Sequence, residues 1–201
     1  MNNSNPLQEL LGDTDIYLLD QVMKGRYNAA DIILDAGCGA GRNLHWFLYN
    51  GISIYGIDSN EEIIHTLKQR HSSLPADRFK VSTVEKISFP DNHFNHIISS
   101  AVLHFANSTL QFQQMIAEMV RVLKTDGSLF IRMTSDIGIE NKVTLIADGV
   151  YYIPDGSTRF LLTKSLLNEL MEQHCLSFLE PLKTVNVNDM RCMSTLMLQK
   201  K

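Results

Sequence analysis

The chain has 201 residues, 44% of them hydrophobic and 20% charged, with a formal net charge of -4 at pH 7. Such proportions describe an ordinary globule with a full core, and the negative balance, without any Lys/Arg cluster, argues against a polyanion-binding surface. Cys38, Cys175 and Cys192 have no metal-ligand spacing, so no metal is expected and a reducing, cytoplasmic setting is the default. The opening MNNSNPLQEL lacks a cationic head followed by an apolar core, so no secretory leader is expected. No apolar run approaches the roughly 18 residues of a membrane span.

Strand-like and helix-like segments alternate, which predicts an α/β fold with a mostly parallel sheet between helices. Residues 14–24 read as a leading helix that packs on the core, with Ile16, Leu19 and Met23 sharing a face and Leu18 and Val22 beside it. Residues 31–35 form a first strand. A helix from Gly41 to Asn50 buries Leu44, Phe47 and Leu48, and Gly51 stops it. Strand two follows at 52–57, and Asn60 caps the next helix, whose first turn carries Glu61 and Glu62. Strand three falls at 79–82 and strand four at 93–99.

A long helix from Ser108 to Leu123 presents Phe112, Met115, Ile116, Met119, Val120 and Leu123 inward, and TDG at 125–127 ends it before strand five. In VYYIPDGSTRFLL, two β-rich arms flank Pro-Asp-Gly-Ser and predict a hairpin. Thr163 caps a helix with Leu166, Leu167 and Leu170 inward, and the tail reads as two closing strands at 176–187 and 191–199. The whole is expected as one domain. Its parts are a leading helix in 1–28, a core over 30–135, a hairpin insertion over 136–162, and a closing helix with two strands over 163–201.

The most informative stretch is DIILDAGCGAG, residues 31–41, an apolar run that ends in Asp35 and then three glycines at alternate positions. Gly37 and Gly39 let the backbone turn sharply and approach a ligand, and the following helix is expected to aim its free amides at the same spot. A second apolar run, ISIYGID, ends in Asp58, placing a carboxylate where it can accept from both hydroxyls of a ribose. A dinucleotide fingerprint spaces its glycines G-x-G-x-x-G, whereas Arg42 fills that third position here. An acidic residue two before the first glycine would repel a pyrophosphate and suits an ammonium or sulfonium charge.

These segments resemble the class I S-adenosylmethionine-dependent methyltransferases over about residues 30–135. LDAGCGAGRN is similar to that family's first motif and YGIDSN to its second. VEKISFPDNHFNHIISSAVLHF resembles its adenine loop and fourth strand, and RVLKTDGSLFI its post-motif. The resemblance implies a Rossmann-like, seven-stranded, mostly parallel sheet in the order 3-2-1-4-5-7-6, with helices on both faces and the last strand antiparallel. It implies S-adenosyl-L-methionine as cofactor, with Gly37, Cys38 and Gly39 lining the methionine part. Asp58, with Ser59 beside it, holds the ribose, and Asp35 supports the loop and the amino group through ordered water. Thr83, Val84 and Glu85 fall at the adenine loop, and Ser99 and Ser100 where strand four meets the methionine moiety. Relatives commonly carry G-D-A-E in the adenine loop. Here Ser82-Thr83-Val84-Glu85 leaves the adenine contact to a hydroxyl and to the backbone at Val84, with reduced affinity expected.

The expected function is methyl transfer from S-adenosylmethionine to a small-molecule acceptor by in-line displacement. That chemistry needs alignment above all, and a general base only if the acceptor must lose a proton. The Asn/Asp-Pro-Pro-Tyr box of amino-methylating nucleic-acid enzymes is missing, since Ser99-Ser100-Ala101-Val102 stands there. His104 is a candidate base or acceptor-orienting group, with a structural role as the alternative. Tyr17 either closes over the cofactor or packs on the core, and Arg132 either pairs with an anionic acceptor or faces solvent. The hairpin, with Tyr151, Tyr152 and Arg159, is placed to roof the acceptor. Two other classes stay open: a non-enzymatic cofactor-binding sensor or subunit, and a nicotinamide-dependent dehydrogenase, which Arg42 disfavours. A nucleic-acid or membrane partner is not expected, and the chain is expected as a monomer or homodimer.

Overall fold

The computed structural model of the chain describes residues 5–201, so the first four residues of the expected leading segment lie outside the described residues. In chain order the elements are α1 (Pro6–Leu11), α2 (Ile16–Met23), β1 (Ile32–Ala36), α3 (His45–Tyr49), β2 (Ser53–Asp58), α4 (Glu61–Arg70), β3 (Phe79–Val81), β4 (Phe94–Ser100) and α5 (Thr109–Val122). They continue with β5 (Leu123–Ser135), β6 (Thr144–Ala147), β7 (Val150–Tyr152), β8 (Thr158–Phe160), α6 (Lys164–Gln173), β9 (Leu176–Phe178), β10 (Lys183–Val187) and β11 (Arg191–Lys200).

The main sheet runs β10-β11-β5-β4-β1-β2-β3. Strands β1 to β5 pair in parallel, and the closing strand β11 runs antiparallel to β5, with Leu196 opposite Ile131. The edge strand beside β11 is split in two. β9 pairs with Leu198–Lys200 of β11, while β10 pairs with Arg191–Thr195. Pro181 lies in the break between them, where a residue without an N–H cannot extend a ladder.

Parallel strands with helices on both sides are buried on both faces, so their apolar residues run continuously and alternate in direction. Leu34, Ile97, Leu129, Ile131, Leu196 and Leu198 pack with α5 and α6, whereas Ile33, Ile54, Ile98, Phe130 and Met197 pack with α2, α3 and α4. The caps follow the expectation. Asn60 Oδ1 accepts from Ile63 N, Ser108 Oγ from Gln111 N, and Thr163 Oγ1 from Leu166 N.

Three local expectations are corrected. In α2, Ile16 and Met23 point outward and Leu18 and Gln21 are buried, so the expected face is rotated away from the core. Polar anchors at both ends set that rotation. Asp15 caps the helix from a buried position, and Gln21 Nε2 donates to Glu180 Oε1 in an ion network that includes Asp20, Lys24 and Lys183. The helix after the glycines begins only at His45, because Asn43 is turned inward to accept from Asp15 N. TDG does not separate helix from strand. α5 passes directly into β5, and the pairing jumps from Phe94–Leu123 to His96–Ser128, so 124–127 is a bulge with Asp126 at φ 62°. The expected hairpin is present, with β7 and β8 antiparallel across the Pro-Asp-Gly-Ser turn, and β6 pairs with β7 to add a third strand.

This insertion is pinned at its base. Leu162 N donates to Thr134 O, Thr134 Oγ1 donates to Phe160 O, and Phe160 stacks on Phe112 of α5 with ring centroids 4.7 Å apart. Phe160→Ala should therefore cost roughly 3–5 kcal/mol, as for large-to-small changes in a packed core. Hydrogen exchange should then show residues 144–160 opening while β1 and β4 stay protected. Uniform exchange across the chain would contradict a separately pinned insertion.

Candidate active site

Loop geometry at the tips of β1 and β2 builds the site. Gly37 N and Cys38 N both donate to Ile57 O at 2.9 Å, which folds the end of β1 over the end of β2. Gly39 N then donates to Asp58 Oδ2 at 3.0 Å, and Asn60 N to Asp58 Oδ1 at 2.9 Å. Gly37 has φ 83° and a side chain there would strike Val102 at 2.5 Å, so glycine is required twice over. A Cβ at Gly39 would meet nothing within 4 Å. That open space is where a ligand can come down onto the backbone.

A cavity of ≈ 550 Å³ runs from Gly37 and Gly39 past Asp58 and Ser59 to the loop Ser82–Glu85, with Ala101, Val102, Phe105, Gln111 and Met115 on its other side. Its ionisable side chains are Asp58 and Glu85, and no basic residue lines it. The volume is that of a ligand-sized pocket. An acidic lining suits a nucleoside carrying a sulfonium and an ammonium, and opposes a pyrophosphate. Each Asp58 oxygen accepts one amide and keeps a lone pair for a sugar hydroxyl. The residues therefore fit S-adenosylmethionine.

Other expected site residues sit less directly. The Cys38 side chain turns down into the core beside Gly56, leaving only its backbone near the loop surface, and burial pushes its thiol up. Ser99 is fully buried without a partner for its Oγ, and Ser100 is engaged by Asp15 and Arg42, so Ala101 and Val102 line the cavity in their place. Strand alternation and a left-handed turn at Ala101, φ 63°, explain the offset. Gln111 and Met115 join the lining without any signal in the sequence that they would, whereas Ser82 belongs to the expected adenine loop. Ser82 Oγ donates to Lys86 O at 2.7 Å and shapes the loop, while Gln111 Nε2 donates to Glu85 Oε1 from α5. No local pattern marks the two α5 residues, because only packing brings them to the cavity.

Asp15 ties this region together. Its carboxylate is 6% exposed, caps α2, and at Oδ2 accepts from Ser100 Oγ at 3.2 Å and Arg132 Nη1 at 3.0 Å, with Arg42 Nη2 at 3.5 Å. Tyr17 does not reach the cavity, since its ring lies under the Arg132 guanidinium at 5.0 Å. His104 and Arg132 line a second, smaller cleft that shares Ala101 with the first. The insertion's turn and Arg159 border that cleft, whereas Tyr151 and Tyr152 do not, so the expected aromatic roof is replaced by a polar one. His104 is buried, with Nδ1 unpartnered, and burial together with Arg159, Arg132 and Arg191 lowers its pKa to about 4.

Residues 34–131 match the family model described as a methyltransferase domain. The uncharacterized methyltransferase YcgJ of Bacillus subtilis is 27% identical over 101 residues, 49% of this chain and 39% of that protein. A solved S-adenosylmethionine-dependent methyltransferase from Methanosarcina mazei superposes with a TM-score of 0.67 at 20% identity, covering 89% of this chain and 96% of that one. A Burkholderia thailandensis 1,6-didemethyltoxoflavin-N1-methyltransferase, solved with S-adenosylhomocysteine, gives 0.62 at 18% identity over 92% and 86% of the chains. Motifs, fold and family match point the same way: residues 34–131 are similar to a methyltransferase domain, and the chain spans less than half the length of the curated relative it matches. No helix among the described residues is long and apolar enough to cross a membrane.

Asp35 lies under the loop, 1% exposed, with Oδ2 lacking a partner. Burial raises its carboxyl to about 7, with Arg42 pulling it down and Asp58 pushing it up. Because the folded value lies above the ordinary one, the associated stability is complete below about pH 4 and is lost as pH rises through about 7. A cationic ligand favours the ionised form. Affinity for S-adenosylmethionine should therefore climb between about pH 5.5 and 7.5, below the range where an α-amino group deprotonates. Asp35→Asn should flatten that climb and reduce thermal destabilisation over the same range. An identical pH profile in the variant would remove Asp35 from the ligand's field.

Proposed function

We propose that the chain transfers a methyl group from S-adenosyl-L-methionine to a small-molecule acceptor by in-line displacement. The observation that carries this reading is the acidic cavity of ≈ 550 Å³ at the glycine loop, adjoining a separate cleft at Ala101. When bound, the cofactor supplies an electrophilic methyl on a sulfonium that is already a good leaving group. The backbone of Gly37, Cys38 and Gly39 would hold its aminoacyl end, Asp58 and Ser59 the ribose, and Thr83, Val84 and Glu85 the adenine. Ser99 and Ser100 would act only by setting the backbone of Ala101 and Val102.

Alignment is the remaining task of the protein. Arg132, held by Asp15 and Tyr17, is fixed on the acceptor side. His104 is neutral at physiological pH and so free to take a proton from an acceptor that has one to lose. The small-molecule reading is supported by the Burkholderia neighbour, named for a small-molecule substrate. A cofactor-binding subunit without activity would be expected to fill the cleft at Ala101. Three free cysteines suit a reducing compartment, hence a cytoplasmic setting.

Calorimetry should show binding of S-adenosylmethionine and S-adenosylhomocysteine and none of NAD. Asp58→Ala should weaken S-adenosylhomocysteine binding by ~1.5–3 kcal/mol, the range of a hydrogen bond to a charged group. Preferential uptake of NAD, or an unchanged dissociation constant in the variant, would refute the assignment.

A further inference from the structure

The second cleft concentrates positive charge in a chain that is negative overall. Four of its eight arginines, Arg42, Arg132, Arg159 and Arg191, line it. They come from the glycine loop, β5, β8 and β11, so no sequence cluster announces them. Only two carboxylates balance them. Asp15 takes Arg132 and Arg42, and Asp155 lies 3.9 Å from Arg191. Among the described residues, Arg159 has no carboxylate within ion-pair reach; it donates to Thr158 O and lies over the Phe105 ring at 5.2 Å. Phe105 also lines the cofactor cavity, so this cation stands at the junction of the two spaces.

Two buried nitrogens complete the picture. Arg132 Nε and His104 Nδ1 both lack hydrogen-bond partners, and His104, 7% exposed, is a wall of the cleft. Leaving such groups unpaired is costly, and gathering like charges around them adds to that cost. An arrangement of this kind is stabilised by an anion that pairs with the guanidiniums and accepts from the imidazole N–H.

We infer that the methyl acceptor is a small organic anion, whose carboxylate or phosphate group seats among Arg159, Arg191 and Arg132 against His104. This rests on the methyl-transfer reading for the role of the occupant, and adds to it the class of substrate. The anionic group anchors the acceptor on the insertion side, and the rest of the molecule extends past Ala101 toward the cofactor cavity. The acidic first cavity and basic second one thus sort a cationic donor from an anionic acceptor by charge alone.

The test uses the whole chain saturated with S-adenosylhomocysteine, with inorganic phosphate, malonate and uncharged malonamide as probes. Calorimetry and the His104 ring resonances report binding. Phosphate or malonate should bind one to one and raise the His104 titration midpoint, against the depressing charges of Arg132, Arg159 and Arg191, while malonamide does neither. The anion whose binding is tighter names the acceptor's group. Arg159→Ala should weaken that binding at least about tenfold, and Arg159→Lys less, with S-adenosylhomocysteine affinity unchanged. No shift of His104 by either anion up to about 20 mM would overturn the inference. So would anion binding that is indifferent to Arg159. Anion binding without any S-adenosylhomocysteine binding would instead sink the methyl-transfer reading, and with it the occupant's role as acceptor.

Discussion

Two amides sharing one carbonyl oxygen hold this site in place. With Gly37 N and Cys38 N both on Ile57 O, the end of β1 is drawn across the end of β2, and Gly39 is brought onto Asp58. The carboxylate expected to contact a ribose is thus also the group that locks the loop. Ligand recognition and loop shape share one side chain, and its two remaining lone pairs are preset rather than found on binding. The surrounding sheet makes this rigid, because Ile33, Ile54 and Ile57 beneath the loop are fully buried.

Asp15 performs the corresponding task at the second cleft. One buried carboxylate caps α2, receives Ser100 from β4 and Arg132 from β5, and lies within reach of Arg42 from the loop. A pair this buried gains little net stability over an apolar substitute, but breaking it strands a buried guanidinium. Its value is positional. It fixes Arg132 in the cleft and keeps Tyr17 beneath it, away from the cofactor cavity. The two spaces meet at Ala101, whose left-handed backbone, with its N–H on Arg132 O, turns the end of β4 between them.

Much of this was legible in the residues. Gly37, Gly39 and Asp58 declared themselves because their roles belong to the backbone and to strand ends, which follow from local sequence. Buried strands and the stripes of α5 and α6 were equally plain, since period and burial coincide there. The failures share one cause. Ile16 and Met23 looked like a core face because α2 is apolar on more than one side, and its rotation depends on Asp15 and Glu180, far apart in the chain. Ser99 and Ser100 were displaced from the cavity by a turn at Ala101 that no residue type signals. Tyr151 and Tyr152 suit an aromatic roof by chemistry, but the insertion borders the cleft with the turn between β7 and β8 and not with these two rings.

The sequence by itself determined the donor half of this protein: a parallel α/β sheet, a glycine bend, a carboxylate at the second strand and an acidic setting for a cationic nucleoside. The glycine bend and the carboxylate at the second strand lie within one strand–helix–strand unit, residues 32–58, so local geometry and short-range hydrogen bonds suffice to specify them. Tertiary structure alone decided the second, basic cleft. Arg42, Arg132, Arg159 and Arg191 are strangers in sequence, brought to one cleft by the insertion and by the antiparallel return of β11. Charge acts through space, and only the folded chain sets those distances.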